Sequence, residues 1–499
     1  MEHCSHMLEE NIVQLPVAAK HPTEARAALA ALDESAFTGF HWKAMITSGM
    51  GFFTDAYDLF IIGVALSVLT PIWHLQPLQI GLLGSTSLIA AAFGALIFGR
   101  LADVIGRHAI YGLTLVVLGA GAIASAFSPS VLWLIVFRFI LGVGIGGDYP
   151  LSATLMSEYA NRRDRGKMVT MVFSMQALGL IMGPLVALLL LVSGINHDLV
   201  WRIMLALGAV PALATFYLRR KINETPRYAL SMQGDLDGAM RTINAVTRKA
   251  QGQAENRPLA PNKKTSQKGT HQKRPWLSLL FKAPYVRWLI GTAGCWFLLD
   301  VAYYGTTISS PLVLKSLNSH ATLVTNMLYT LLIFVIAALP GYILAIFTID
   351  RLGRKVIQCL GFALMTLAYG LIAFVPKLSR LSLPFLLVYG VSYFFTEFGP
   401  NVTTFVYPAE VFPVMIRTTG HGVAAALGKC GAFLGALLFP YLLATFHLSG
   451  AMGFAAIVSF LGLLLTVFLL PEPNQRSLEE ISNEHEVLAR QAEPVAAAV

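Results

Sequence analysis

Gly99-Arg100-Leu101-Ala102-Asp103-Val104-Ile105-Gly106-Arg107-His108 lies between two apolar runs, and a shortened copy, Asp350-Arg351-Leu352-Gly353-Arg354-Lys355, lies between two more. Glu158, followed by Arg165, has the same kind of partner in Glu410, followed by Arg417. Both pairs are offset by about 250 residues, an agreement that marks an internal repeat. The chain is therefore two copies of one unit.

Of its 499 residues 56% are hydrophobic and 13% charged, which excludes a soluble globule and points to a chain that crosses a membrane many times. Apolar segments of about 20 residues, enough for a spanning helix, fall near 43–70, 79–101, 108–127, 131–158, 165–193, 200–219, 288–311, 321–348, 356–375, 383–408, 418–445 and 449–470. They predict an all-α membrane protein with twelve transmembrane helices in two six-helix bundles, 43–219 and 288–470. A polar linker, 220–287, joins the bundles, and segments 1–42 and 471–499 flank them. The linker is rich in Lys, Gln, Asn and Pro between Gln251 and Arg274, and its stretch from Glu224 to Val246 is amphipathic enough for a surface helix. Residues 1–42 are polar and contain no removable signal, so the first span is expected to act as its own insertion signal.

The net charge of +9 sits in loops, so it reads as a topology signal and not as a nucleic-acid surface. Arg100, Arg107, Arg162, Arg163, Arg165, Lys167, Arg351, Arg354 and Lys355 occupy alternate loops, with Lys315, Lys377 and Arg380 as outer exceptions. Both termini are then cytoplasmic, and a plasma membrane, or an inner membrane in a bacterium, is the default location. Cys4, Cys295, Cys359 and Cys430 show neither pairing nor metal spacing; no metal or cofactor is expected.

Ionisable groups inside the spans carry the functional signal, because each costs roughly 2.5–3.5 kcal/mol at a span centre. Asp55 and Asp58 lie three residues apart, on one helical face. Two such acids cannot easily both be charged, so the pair can carry a proton, unless an arginine such as Arg138 neutralises one of them. Gly142, Gly144, Gly146 and Gly147 allow another helix to approach, and Asp148-Tyr149-Pro150 presents an acid and a phenol where proline is expected to bend the helix. Trp296, Asp300 and Tyr304 recur every four residues as a stripe on span 7.

The Gly99–Arg107 motif resembles the signature of the major facilitator superfamily, although Val104 stands where a basic residue is common. Glu224-Thr225-Pro226-Arg227-Tyr228, Tyr407-Pro408-Ala409-Glu410-Val411-Phe412-Pro413, and Pro471-Glu472 with Arg476-Ser477-Leu478-Glu479-Glu480 resemble the sugar-porter-type branch, end to end along the chain. The resemblance implies charge latches on the cytoplasmic side that pair differently in inward-open and outward-open states: Asp103, Arg107, Glu158, Arg165, Asp350, Arg354, Glu410 and Arg417. Gly146-Gly147-Asp148-Tyr149-Pro150-Leu151-Ser152-Ala153-Thr154, followed by Met156-Ser157-Glu158, is more specific. With Asp55, Asp58 and Gln176 it resembles the phosphate:proton symporter family. That resemblance implies proton coupling by Asp55, Asp58 and Asp148, and phosphate contacts from Tyr149, Gln176, Trp296, Asp300, Tyr304, Asn401 and Lys429.

The chemistry of these side chains agrees with an oxyanion. Tyr149, Gln176, Trp296, Tyr304 and Asn401 supply donors and Lys429 a point charge. Asp300 can accept a hydrogen bond from a protonated phosphate oxygen, which fully deprotonated sulfate cannot offer. Asp148 is read as the costly charge, with Asp55, Asp58 and, across the bundle interface, Asp300 and Lys429 as partners. The expected function is proton-coupled symport of inorganic phosphate by alternating access, with protons, phosphate and the lipid bilayer as partners and a monomer sufficient. The same fold carrying a sugar, a glycerophosphodiester or another organic anion is the near alternative, and a transport-like phosphate receptor the distant one. Enzyme signatures such as a nucleophile elbow or a phosphate-cradling loop are missing from the sequence.

Overall fold

The computed structural model describes residues 22–220, 222–233, 235–248, 276–310, 313, 322–375, 378 and 381–483. Cys4, the linker between Gln251 and Arg274, Lys315, Lys377, Arg380 and the tail beyond residue 483 lie outside the described residues.

Among the described residues all regular structure is helical. Helix α1 (Pro22–Asp33) precedes the first half, which consists of α2 (Gly39–Trp73), α3 (Pro77–Ile105), α4 (Arg107–Ala126), α5 (Val131–Tyr159), α6 (Arg165–Val192), α7 (His197–Leu207) and α8 (Ala209–Arg219). After α9 (Leu236–Arg248) the second half follows: α10 (Tyr285–Ile308), α11 (Leu323–Ile333), α12 (Leu339–Leu352), α13 (Arg354–Phe374), α14 (Ser382–Phe398), α15 (Pro400–Val411) and α16 (Arg417–Leu469). Nine helices among the described residues are long and apolar enough to cross a membrane. The α7–α8 pair forms one of them, and α11 and α12 join through a π-helical turn, Phe334–Ala338, into another. The 53-residue α16 leaves helical geometry at His447 (φ 56°) and so supplies two spans. Helix α10 and the broken pair α14–α15 complete twelve. Large apolar side chains such as Phe93, Ile97, Leu189, Phe347 and Phe374 point outward, as a lipid-facing surface requires. The chain is a multi-pass membrane protein.

The sequence repeat returns as one structural device used twice. Gly106 (φ 117°) and Gly353 (φ 89°) reverse the chain between adjacent helices in a conformation that side chains rarely adopt. Each reversal exposes the first N–H groups of the next helix, and each is met by a glutamate. Glu224 accepts from the N–H of His108 at 3.3 Å; Glu472 accepts from Arg354 at 3.1 Å and Lys355 at 2.9 Å.

One feature departs from the uniform helices that the apolar runs suggest. Span 10 breaks at Gly399, which is not helical, and restarts at Pro400, so Asn401 occupies the second position of a new helix at membrane depth. Span 4 is one continuous helix through Pro150. Its glycines bring it against span 2: a Cβ on Gly146 would collide with the backbone of Ala91, so α3 and α5 hold each other at close range.

Candidate functional site

Lys429 of α16 stands where the halves meet. Its Nζ donates to Tyr149 Oη of the first half at 3.1 Å and to Tyr304 Oη of the second at 2.9 Å. It lies 3.9 Å from Asp300 Oδ2, an ion-pair separation too long for a hydrogen bond. That oxygen has no hydrogen-bond partner. Both phenol rings also face the ammonium, at 4.4 and 4.8 Å to their centroids. Trp296 packs against Tyr149 (centroids 6.0 Å apart) and edge-on to His421 (5.5 Å). Gly428 makes room for it, since a Cβ there would come 2.9 Å from the indole nitrogen and closer still to two ring carbons.

Five of the seven residues expected to contact substrate, Tyr149, Trp296, Asp300, Tyr304 and Lys429, thus form one cluster. Gln176 is buried one turn beyond Phe173 on α6, with its Oε1 unpartnered. Asn401 is engaged elsewhere: its amide donates to Tyr342 Oη at 2.9 Å and to Glu397. Glu397 is an acid inside an apolar span, legible as such in the sequence but outside the motifs quoted above.

The three acids of the first half differ sharply in their partners. Asp58 pairs with Arg138 at 2.7 Å, the neutralised arrangement that the sequence left open. Asp148 departs from expectation. It is held in a two-pronged pair by Arg219 of α8, whose guanidinium also lies over the Tyr111 ring at 3.9 Å, and its expected partners make no hydrogen bond to it. Arg219 closes the apolar segment 200–219, and its sequence gives it no role; packing turns it inward. Asp55 has no hydrogen bond on either oxygen and lies within electrostatic reach of Asp148, Lys429, Arg219 and Asp58.

Below this cluster, toward the end that bears α1 and residues 470–483, Phe52 and Phe173 of the first half meet Phe405 of the second at centroid distances of 4.9 and 4.6 Å. None of the three was singled out in the sequence, where each is one apolar residue among many. Deeper still lie the motif charges. Asp103 receives the N–H and hydroxyl of Thr419, both at 2.6 Å; Arg107 pairs with Asp103 (3.1 Å) and Glu158 (3.2 Å) and donates to the carbonyl of Val414; Arg417 reaches Glu158 at 3.0 Å. The repeat produces the mirror set: Asp350 receives the N–H groups of Gly166 and Lys167, Arg354 pairs with Asp350 (2.9 Å) and Glu410 (2.8 Å), and Arg165 reaches Glu410 at 3.0 Å. Arg227 ties Asp33 and Glu479 to the carbonyl of Glu158. Although burial opposes its charge, Glu479 and Asp33 hold the Arg227 guanidinium above its usual range.

Residues 40–485 match the family profile described as "Sugar (and other) transporter". "Probable inorganic phosphate transporter 1-6" of Arabidopsis thaliana is 37% identical, covering 92% of this chain and 96% of the relative. The chain belongs to the phosphate:proton symporter family of the major facilitator superfamily. Other relatives are "Inorganic phosphate transporter 1-11" of Oryza sativa subsp. japonica (37% identical; 92% and 90% covered) and "Low affinity inorganic phosphate transporter 4" of Medicago truncatula (36%; 91% and 94%). Among solved structures, a proton:xylose symporter bound to 6-bromo-6-deoxy-D-glucose superposes with a TM-score of 0.74 at 21% identity, covering 89% of this chain and 98% of that one. This family member therefore has the major facilitator fold.

Proposed function

We propose that the chain carries inorganic phosphate across the membrane together with one or more protons, by alternating access and without chemical change. One observation carries the reading: a buried lysine at the seam of two bundles, flanked by two phenols and facing an acid with a free oxygen. A phosphate that keeps one proton satisfies all of them, accepting from Lys429, Tyr149 and Tyr304 and donating to Asp300. A neutral sugar would bring no charge for the lysine to meet, leaving Asp300 as its counter-charge. The names of the relatives point to the same substrate.

Asp55 is the proton carrier in this mechanism. Asp58 and Asp148 each pair with an arginine, whereas Asp55 makes neither a hydrogen bond nor an ion pair among the described residues. Protonating Asp55 lowers the cost of an incoming anion beside Lys429. The bundles 43–219 and 288–470 then rock, the Phe52–Phe173–Phe405 layer parts, and the arginine–glutamate latches exchange partners. The latch end, which bears both described termini, is the cytoplasmic end, and the plasma membrane is the working location; a single chain suffices. Uptake of labelled phosphate by reconstituted protein, with and without an inward proton gradient, tests this. Uptake that ignores the gradient would remove the symport assignment.

A further inference from the structure

We propose that Glu397 is a second proton-binding site, in the C-terminal half, which takes up a proton as an anion enters beside Lys429. This rests on the phosphate reading above. Glu397 ends α14 just before the break at Gly399 and is fully buried at membrane depth. Asp55 apart, the interior acids described above face a base: Asp58 faces Arg138, Asp148 Arg219, Glu158 Arg107 and Arg417, Glu410 Arg165 and Arg354, and Asp300 Lys429. Among the described residues no base pairs with Glu397. Its Oε2 accepts the Asn401 amide and its Oε1 accepts nothing.

The groups that face it are Asp300 and Tyr303 from α10, Tyr342 from α12 and Tyr369 from α13, with Tyr393 one turn back on its own helix. All are neutral except Asp300. The start of α15 contributes a partial positive charge of about one half, and the end of α14, where Glu397 sits, a partial negative charge of similar size, so the two helix ends offset each other. An anion on the Asp300 side then tips the balance, because added negative charge in a low-dielectric interior is relieved most directly by taking up a proton.

Protonation also has a structural consequence. With Glu397 charged, both hydrogens of the Asn401 amide are committed, one to Glu397 and one to Tyr342. A protonated Glu397 is itself a donor and holds that amide less firmly, so Asn401 can turn a hydrogen toward the anion. One carboxyl thereby links proton uptake to completion of the binding site.

The test counts protons taken up when inorganic phosphate binds to the purified full chain, by calorimetry in buffers of different ionisation enthalpy, from mildly acid to mildly alkaline pH. Glu397→Gln keeps an acceptor for Asn401 and is expected to take up fewer protons, with the pH dependence of affinity reduced by up to about tenfold per pH unit. Glu397→Asp should restore part of the loss. An unchanged proton count in Glu397→Gln overturns the proposal while leaving the transport reading intact; an unaltered chain that binds no phosphate overturns both. Should the glutamine variant not bind, infrared difference spectra of the unaltered chain with isotope-labelled glutamate decide. A protonated glutamic carboxyl that appears on phosphate addition supports the proposal, and its absence overturns it.

Discussion

Replacing Asp148 and Asp55 separately by asparagine should separate a structural ion pair from a proton carrier. In Asp148→Asn the Arg219 guanidinium loses its anion while staying buried, and keeps only neutral partners: the amide oxygen of the new side chain, the Tyr111 carbonyl at 3.1 Å, Thr114 Oγ1 at 3.4 Å and the Tyr111 ring. An uncompensated buried charge of this kind costs about 3–5 kcal/mol. Asp55→Asn removes no hydrogen bond, since both carboxylate oxygens lack one, and should change stability by no more than about 1 kcal/mol. Unfolding in detergent reads the stability difference, and reconstituted vesicles read transport. Asp55→Asn is expected to fold like the unaltered chain and to exchange phosphate, but to lose accumulation driven by a proton gradient. Asp148→Asn is expected to be destabilised, and Arg219→Gln added to it should recover part of the loss because the stranded charge is gone. A fully stable Asp148→Asn, or an Asp55→Asn that still concentrates phosphate, would refute the assignment.

Three further outcomes follow from the geometry. Gly422→Val should wedge the latch end open, because a Cβ at Gly422 approaches the Ala95 carbonyl and lies 3.3 Å from the Gly99 Cα; spin labels across that end should report a longer distance, and an unchanged distance would contradict the close packing. Asp300→Asn should narrow the preference for phosphate over sulfate, measured by competition, since an amide can donate to either anion. Glu479, despite its burial, is held below the ordinary glutamate range by Arg227, so the folded chain binds this proton less readily than the unfolded one. The pair's stabilisation is therefore complete above about pH 4.5 and is lost as pH falls through the lowered folded value; Glu479→Gln should flatten that part of the stability profile.

Much of the site was legible because intramembrane polar residues are few and expensive. Tyr149, Trp296, Asp300, Tyr304 and Lys429 stand out against their spans, and the structure gathers them. Arg219 and the Phe52–Phe173–Phe405 layer did not stand out in the same way, whereas Glu397 stands out as an acid in an apolar span but belongs to no motif. A charge at the end of an apolar run has the same local pattern whether it turns to water or to Asp148. A phenylalanine in a span has the same pattern whether it faces lipid or closes a pathway.

Local composition and the repeat determined by themselves that this chain is a twelve-span, two-bundle membrane protein, since backbone hydrogen bonding in lipid leaves a long apolar segment little choice but helix. The doubled Gly106/Gly353 and Glu158/Glu410 motifs likewise determined that the two halves are built alike. Tertiary structure alone decided which acid meets a base. The ion pairs of Asp58 with Arg138 and of Asp148 with Arg219, and the lack of any such pair for Asp55 or Glu397 among the described residues, are set by how the helices pack.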